Sequence, residues 1–183
     1  LKYADLNGDG RINQDDQTWI MNPVPAFSYG LNVAVSYKNF DLSMFWQGVA
    51  DQDIYNNQKF QTDFWSITDA GSNKGNRMLN AWTSDNTDSS IPALTTNNTA
   101  DEGRVSTYYV ENGSYLKLRT LQLGYNVPEK FISKLKMSSL RAYISGQNLL
   151  TLKSSSLTCS DPENPSWAYP LATSISFGLQ VGF

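Results

Sequence analysis

The last thirteen residues, Leu171 to Phe183, alternate: the odd positions carry Leu171, Ile175, Phe177, Leu179, Val181 and Phe183, and the even ones Ala172, Ser174, Ser176, Gly178, Gln180 and Gly182. A period of two puts one apolar and one small or polar face on an extended strand. The run exceeds the about 5–6 residues of an ordinary strand and matches the roughly 9–11 tilted residues that cross a bilayer. Ending on a bare aromatic suits a strand that closes a barrel. The expected class is all-β, with antiparallel up-and-down strands and long connections.

The same pattern recurs upstream. Phe27, Tyr29, Leu31, Val33, Val35 and Tyr37 share one parity, Lys38-Asn39 is a short turn, and Phe40, Leu42, Met44 and Trp46 follow in the opposite parity. This reads as a hairpin over 26–50 whose end aromatics fit a membrane-interface girdle. In residues 114–126 the apolar phase slips, from Leu116 and Leu118 to Leu121, Leu123 and Tyr125. A β-bulge near Arg119-Thr120 would explain the slip, because one extra residue turns the following side chains over; alternatively, the upper half of the strand lies above the bilayer, where phase is free. Pro128, Phe131, Ile132 and Leu135 predict a short helical turn over 127–139 with Pro128 in its first turn. Leu140 to Thr151 is the next strand, and 152–170 is a polar loop before the last one.

Composition narrows the chemistry. No apolar run approaches the roughly 18 residues of a membrane helix, which leaves barrel strands untouched as an option. Formal charge is −3, so no basic signature for nucleic acid is present. With no His and a single Cys, Cys159, the chain holds no internal disulfide, no Cys–His pair and no Ser–His–Asp triad. Paired carboxylates such as Asp51 and Asp53, or Asp63 and Asp69, lie in loops without supporting pattern, so no enzyme is expected. The chain begins at Leu1 without Met or leader pattern, as expected of a mature product or a piece of something longer.

The sharpest local motif lies in residues 1–25. Asp5-Leu6-Asn7-Gly8-Asp9-Gly10-Arg11-Ile12-Asn13-Gln14-Asp15-Asp16 follows the twelve-residue calcium loop. Asp5, Asn7 and Asp9 would supply side-chain oxygens, Gly10 the sharp turn, Arg11 its carbonyl, Asn13 a water-mediated or direct contact, and Asp16 the closing ligand. Asp at the twelfth position is shorter than the usual Glu, and Pro23 and Pro25 argue against a long exit helix. A structural calcium ion is expected. An acidic, Gly-rich turn without metal is the plainer alternative.

Residues 51–113 are rich in Asn, Asp, Ser, Thr and Gly, with aromatics at Tyr55, Phe60, Phe64, Trp65 and Trp82. A connection this long suits an extracellular barrel loop. Tyr55, Trp65 and Trp82 are weak candidates for stacking on sugar rings. Packing of the loop on itself is the simpler expectation for each. The sequons at Asn97 and Asn112 carry no weight in so Asn-rich a stretch.

Together these segments form an ordered set: the calcium-like loop, Met21-Asn22-Pro23-Val24-Pro25, Tyr29-Gly30-Leu31, Tyr37-Lys38-Asn39-Phe40-Asp41-Leu42, Trp46-Gln47-Gly48, Tyr115-Leu116-Lys117-Leu118-Arg119, Leu123-Gly124-Tyr125-Asn126-Val127-Pro128, Ser145-Gly146-Gln147-Asn148-Leu149 and Phe183. The set resembles the C-terminal barrel segment of a SusC/RagA-type TonB-dependent outer-membrane transporter of the Bacteroidetes type. The resemblance implies a 22-stranded barrel with an N-terminal plug, import of glycans or peptides, a SusD-like surface lipoprotein as partner and TonB as the energy coupler. About five strands of such a barrel are expected here, as are contact with the lipid bilayer and self-association of the isolated chain.

With Phe183 on the periplasmic side, strand parity makes 127–139 and Lys38-Asn39 periplasmic turns. It puts 1–25, 51–113 and 152–170 outside the cell, the hairpin at 26–50 and the last three strands within 114–183. The competing reading is a secreted, calcium-stabilised β-sandwich that binds carbohydrate. Lipid-type exposure of Leu31, Val33 and Val35 would separate the two.

Overall fold

A computed structural model describes residues 1–64, 73–94, 101–165 and 169–183. Its strands are β1 (Phe27–Tyr37), β2 (Phe40–Ala50), β3 (Asp53–Tyr55), β4 (Val110–Asn112), β5 (Tyr115–Asn126), β6 (Ser139–Lys153) and β7 (Ser174–Gly182). Two short helices, α1 (Asn57–Asp63) and α2 (Glu129–Ile132), and four 3-10 turns complete the described elements. The chain divides into two compact units. One comprises Val24–Gln52, Asn112–Leu157 and Tyr169–Phe183; the other Leu1–Pro23, Asp53–Glu111 and Thr158–Ala168.

The first unit is an antiparallel five-stranded sheet in the order β1-β2-β5-β6-β7. The order follows the chain, as up-and-down topology requires. Pairing aligns the apolar parities into rows across the strands. One row runs Val35, Leu42, Leu123, Ile144, Phe177; another runs Tyr37, Phe40, Tyr125, Ala142, Leu179. These side chains are not a buried core: Leu31 is 58% and Phe177 81% exposed. An aqueous sandwich would cover such a face against a second sheet. A lipid-facing barrel wall leaves it open.

The opposite face is polar and internally paired. The Arg141 guanidinium grips Asp41 through Nε and Nη2, at 3.0 and 2.5 Å, and Asn126 Nδ2 donates to the same carboxylate at 3.3 Å. Arg119 Nε donates to Gln47 Oε1 at 3.0 Å. Gly124 lies under the ion pair, where a Cβ would stand 2.5 Å from both Arg141 Nη2 and Asp41 Oδ1. Only a residue without a side chain admits the pair there.

The expected bulge is present: pairing of β5 with both β2 and β6 shifts between Leu118 and Thr120. β6 carries a left-handed residue opposite it, Asn148 at φ 52°. The β1–β2 turn is the expected Lys38-Asn39, with Lys38 at φ 53°. Differences are local. The final strand begins at Ser174 rather than Leu171. Pro128 caps α2 from outside instead of sitting in its first turn, since a backbone at ψ 140° has not yet entered the helix. β6 runs two residues beyond the expected Thr151, to Lys153. No described helix is long and apolar enough to cross a membrane.

The second unit is not the featureless connection that its composition suggests. Within 51–113, β3 pairs with β4 in a two-stranded sheet and α1 follows β3 directly. This unit combines a small buried apolar and aromatic cluster, including Ile54, Met78 and Tyr109, with buried polar groups such as Asn56, Asp63 and Glu111.

Candidate functional site

Two arrangements in the second unit hold chemistry: the acidic loop near the chain start and a buried charge network. In the acidic loop side-chain oxygens of Asp5, Asn7, Asp9, Asn13 and Asp16 turn inward onto backbone N–H groups. Asp5 accepts from Gly8 at 2.6 Å and Gly10 at 2.8 Å. Asn7 Oδ1 accepts from Asp9 and Asp9 Oδ1 from Arg11. Gly8 and Gly10, at φ 77° and 78°, supply the left-handed turns this path needs. Asn13 caps the 3-10 turn Gln14–Asp16, and Asp16 returns a bond to the Asn13 N–H, a capping box. The other Asp16 oxygen accepts from Leu6 at 2.8 Å and so closes the loop on itself. Backbone N–H groups of Asn13 and Leu6 hold the Asp16 carboxyl below its ordinary range. No long helix follows, as the prolines predicted.

The donors are hard oxygens in calcium-loop order, and the loop is already wrapped. Among the described residues no three Asp, Glu, Cys or His groups form a metal-holding cluster. A calcium loop also draws on amide and backbone oxygens, here Asn7, Asn13 and Arg11. The residues therefore fit a hard cation in type and order.

The charge network was not legible from spacing. Asp63, 0% exposed, takes two bonds from Arg77, at 2.8 and 2.5 Å, and a third from Tyr108 Oη at 2.6 Å. Glu111, also buried, accepts from Asn56 Nδ2 (3.0 Å), Thr158 N–H (2.9 Å) and Thr158 Oγ1 (2.8 Å), with Lys59 at 3.4 Å. Burial opposes ionisation of Glu111, but the bonds from Thr158 and Asn56 and the Lys59 charge outweigh it and lower its pKa. Burial depresses Lys59 despite Glu111. Burial, then the bond to Asp63, pushes the Tyr108 phenol far up. The network ties the segment after Thr158 to α1 and β4. Its role is structural: each reactive group is already engaged.

Of the aromatics proposed for stacking, Tyr55 packs on Tyr109 with ring centroids 5.6 Å apart, inside a cluster that also holds Phe60, Phe64 and Tyr108. Trp82 is 44% exposed. Trp65 and Asp69 lie outside the described residues. Asp53 binds the Asn22 N–H at 2.8 Å, which makes it a positioning group.

No family model matches the chain. TonB-dependent receptor P3 of Formosa agariphila is 38% identical over 152 residues, 81% of this chain and 14% of that protein. TonB-dependent receptor P26 of the same organism is 30% identical over 200 residues, 100% of this chain and 19% of that protein. TonB-dependent receptor SusC of Bacteroides thetaiotaomicron is 28% identical over 186 residues, 99% of this chain and 17% of that protein. The RagAB peptide importer in its open-open state superposes with a TM-score of 0.76 at 25% identity, covering 94% of this chain and 19% of that one. Its closed-closed state gives 0.76 at 25% identity, covering 98% and 20%. The chain thus spans less than a fifth of the length of these curated relatives. They carry receptor names, not those of enzymes. With its antiparallel sheet, open apolar face and this kinship, the chain is a barrel segment of a SusC/RagA-type TonB-dependent transporter.

Proposed function

We propose that this segment forms part of the wall and outer loops of an outer-membrane importer for glycans or peptides, working with a SusD-like surface lipoprotein and driven through TonB. The observation that carries the reading is the open apolar face shared by five paired strands, backed by a polar face with its charges paired. Water penalises such a face and lipid does not. The Lys38-Asn39 and 127–139 turns are assigned to the periplasm and the second unit to the cell exterior. The isolated chain self-associates or depends on detergent. Immunoblotting of fractionated source cells, with and without boiling, tests this. A heat-modifiable outer-membrane band several times heavier than 20.5 kDa is expected; a secreted band near that mass would overturn it.

Calcium in the acidic loop belongs to the same proposal. Asp5, Asn7, Asp9, Asn13 and Asp16 side chains and the Arg11 carbonyl would hold the ion, as a static clip that offsets carboxylate repulsion. Asp5→Ala is expected to abolish terbium luminescence sensitised at this loop while leaving the heat-modifiable band unchanged. Equal terbium signal in the variant would remove the loop from the list of cation sites.

A further inference from the structure

The two turns at one end of the five-stranded sheet carry an excess of positive charge. From Tyr37 to Asp41 and from Tyr125 to Arg141 stand five cations, Lys38, Lys130, Lys134, Lys136 and Arg141, and two acids, Asp41 and Glu129. Arg141 and Asp41 pair with each other on the polar face. Four lysines and Glu129 remain, in a chain whose formal charge is −3. All four lysines are exposed. Two of them stand where lysine is conformationally costly. Lys38, at φ 53°, and Lys136, at φ 55°, are left-handed, a region that glycine or asparagine enters more easily. Either would serve the β1–β2 turn or the end of the 3-10 turn Ser133–Leu135. What lysine adds is a charge on a long apolar stem.

The charges lie beside open aromatic rings. Lys38 Nζ is 5.2 Å from the centroid of Tyr37, and Lys130 Nζ 4.8 Å from that of Phe131. Tyr37 is 67% and Phe131 62% exposed. Tyr37 heads the row Tyr37, Phe40, Tyr125 on the open apolar face, where the rings of Phe40 and Tyr125 are 4.8 Å apart. That face runs to these rings without a break, so whatever covers the wall also meets Lys38. An acyl chain lying on the wall brings its own headgroup to the ammonium. Aromatic rings flanked by snorkelling lysines suit the depth at which hydrocarbon gives way to headgroups.

We propose that Lys38, Lys130, Lys134 and Lys136 select anionic phospholipid from the periplasmic leaflet, with phosphate against the ammonium groups and acyl chains along the Tyr37, Phe40, Tyr125 row. This selection rests on the reading of the sheet as a barrel wall with both turns in the periplasm. It adds a preference among lipids to a wall that otherwise asks only for hydrocarbon.

The probe is phosphatidylglycerol with a diazirine in its acyl chain, set against the same chain on phosphatidylcholine. Each is added to the full-length protein in phosphatidylcholine nanodiscs, and labelling is mapped by mass spectrometry. Phosphatidylglycerol is expected to label the Tyr37–Phe40 peptide in preference to phosphatidylcholine, with no preference at Phe27 and Tyr29 on the far end of β1. The preference should fall about fivefold in Lys38→Gln, the size of one lysine near an anionic surface, and further when Lys130→Gln and Lys134→Gln are added. These side chains are exposed, so the variants should keep the heat-modifiable band. Equal labelling by the two lipids at Tyr37–Phe40, a preference unmoved in the variants, or the same preference at Phe27 would each overturn the proposal. Sidedness is read separately, from Lys38→Cys in intact cells against the parent protein, whose Cys159 is buried. Reaction with an impermeant maleimide would remove the periplasmic source while leaving the nanodisc preference in place. Absence of labelling by either lipid anywhere on the wall would instead overturn the barrel reading itself.

Discussion

Arginine in place of Leu31 removes the protein from the outer membrane. Leu31 sits near the middle of β1, pairs with Trp46 and heads the row Leu31, Trp46, Leu118, Leu150 across four strands. Its side chain is exposed on the face assigned to lipid. A guanidinium near the bilayer midplane costs about 2–4 kcal/mol, a large share of the margin on which a folded protein stands. The neighbouring Asn32 points to the opposite, polar face, so Asn32→Arg is the matched control. The heat-modifiable band is expected to vanish for Leu31→Arg and persist for Asn32→Arg. The reverse pattern would mean that the two faces have been assigned the wrong way round.

The second large effect concerns the charge network. Arg77→Ala leaves Asp63 buried, with the hydroxyls of Tyr108 and Thr62 as its remaining described hydrogen-bond partners. Removing one partner of a buried pair costs about 3–5 kcal/mol, because the remaining charge has lost its compensation. Hydrogen exchange in α1 and around Thr158 is expected to quicken by roughly 10²–10³-fold, with β1, β2 and β5 unaffected. Replacing both members, Asp63→Asn with Arg77→Met, should recover much of the protection, since neither charge then remains to be desolvated. Equal exchange in Arg77→Ala and the parent protein would reduce the pair to a surface contact.

The barrel strands were legible in the sequence because alternation is set by one variable, side-chain direction, and lipid on one side keeps that variable clean. Phe27–Tyr37 and Phe40–Ala50 could be read almost to the residue. The acidic loop was legible because its Asp, Asn and Gly spacing is local. The Asp63–Arg77–Tyr108 and Asn56–Glu111–Thr158 groups were not. Their partners lie 14 to 102 residues apart, and polar residues in a loop carry no periodicity to announce that they are buried. The nearest available signal was chemical: Lys59 and Arg77 are cations in a stretch rich in acids, and a long loop that stays ordered needs something to order it.

The irregularity at Arg119 has a larger geometry than one strand. Between Met44 and Trp46 β2 takes two steps; the facing stretch of β5, Leu121 to Leu118, takes three; and that of β6, Gly146 to Leu150, takes four. The excess grows by one residue at each strand, like an extra half-row of atoms wedged into a crystal lattice. Such a dislocation fans the strands on one side of it and lets a wall made of equal bricks turn a corner. It also obeys a parity rule. The odd excess in β5 inverts the hydrophobic pattern and betrays itself, whereas the even excess in β6 restores the pattern and passes unseen. In walls of this kind, single insertions and deletions reverse a surface, and paired ones bend it.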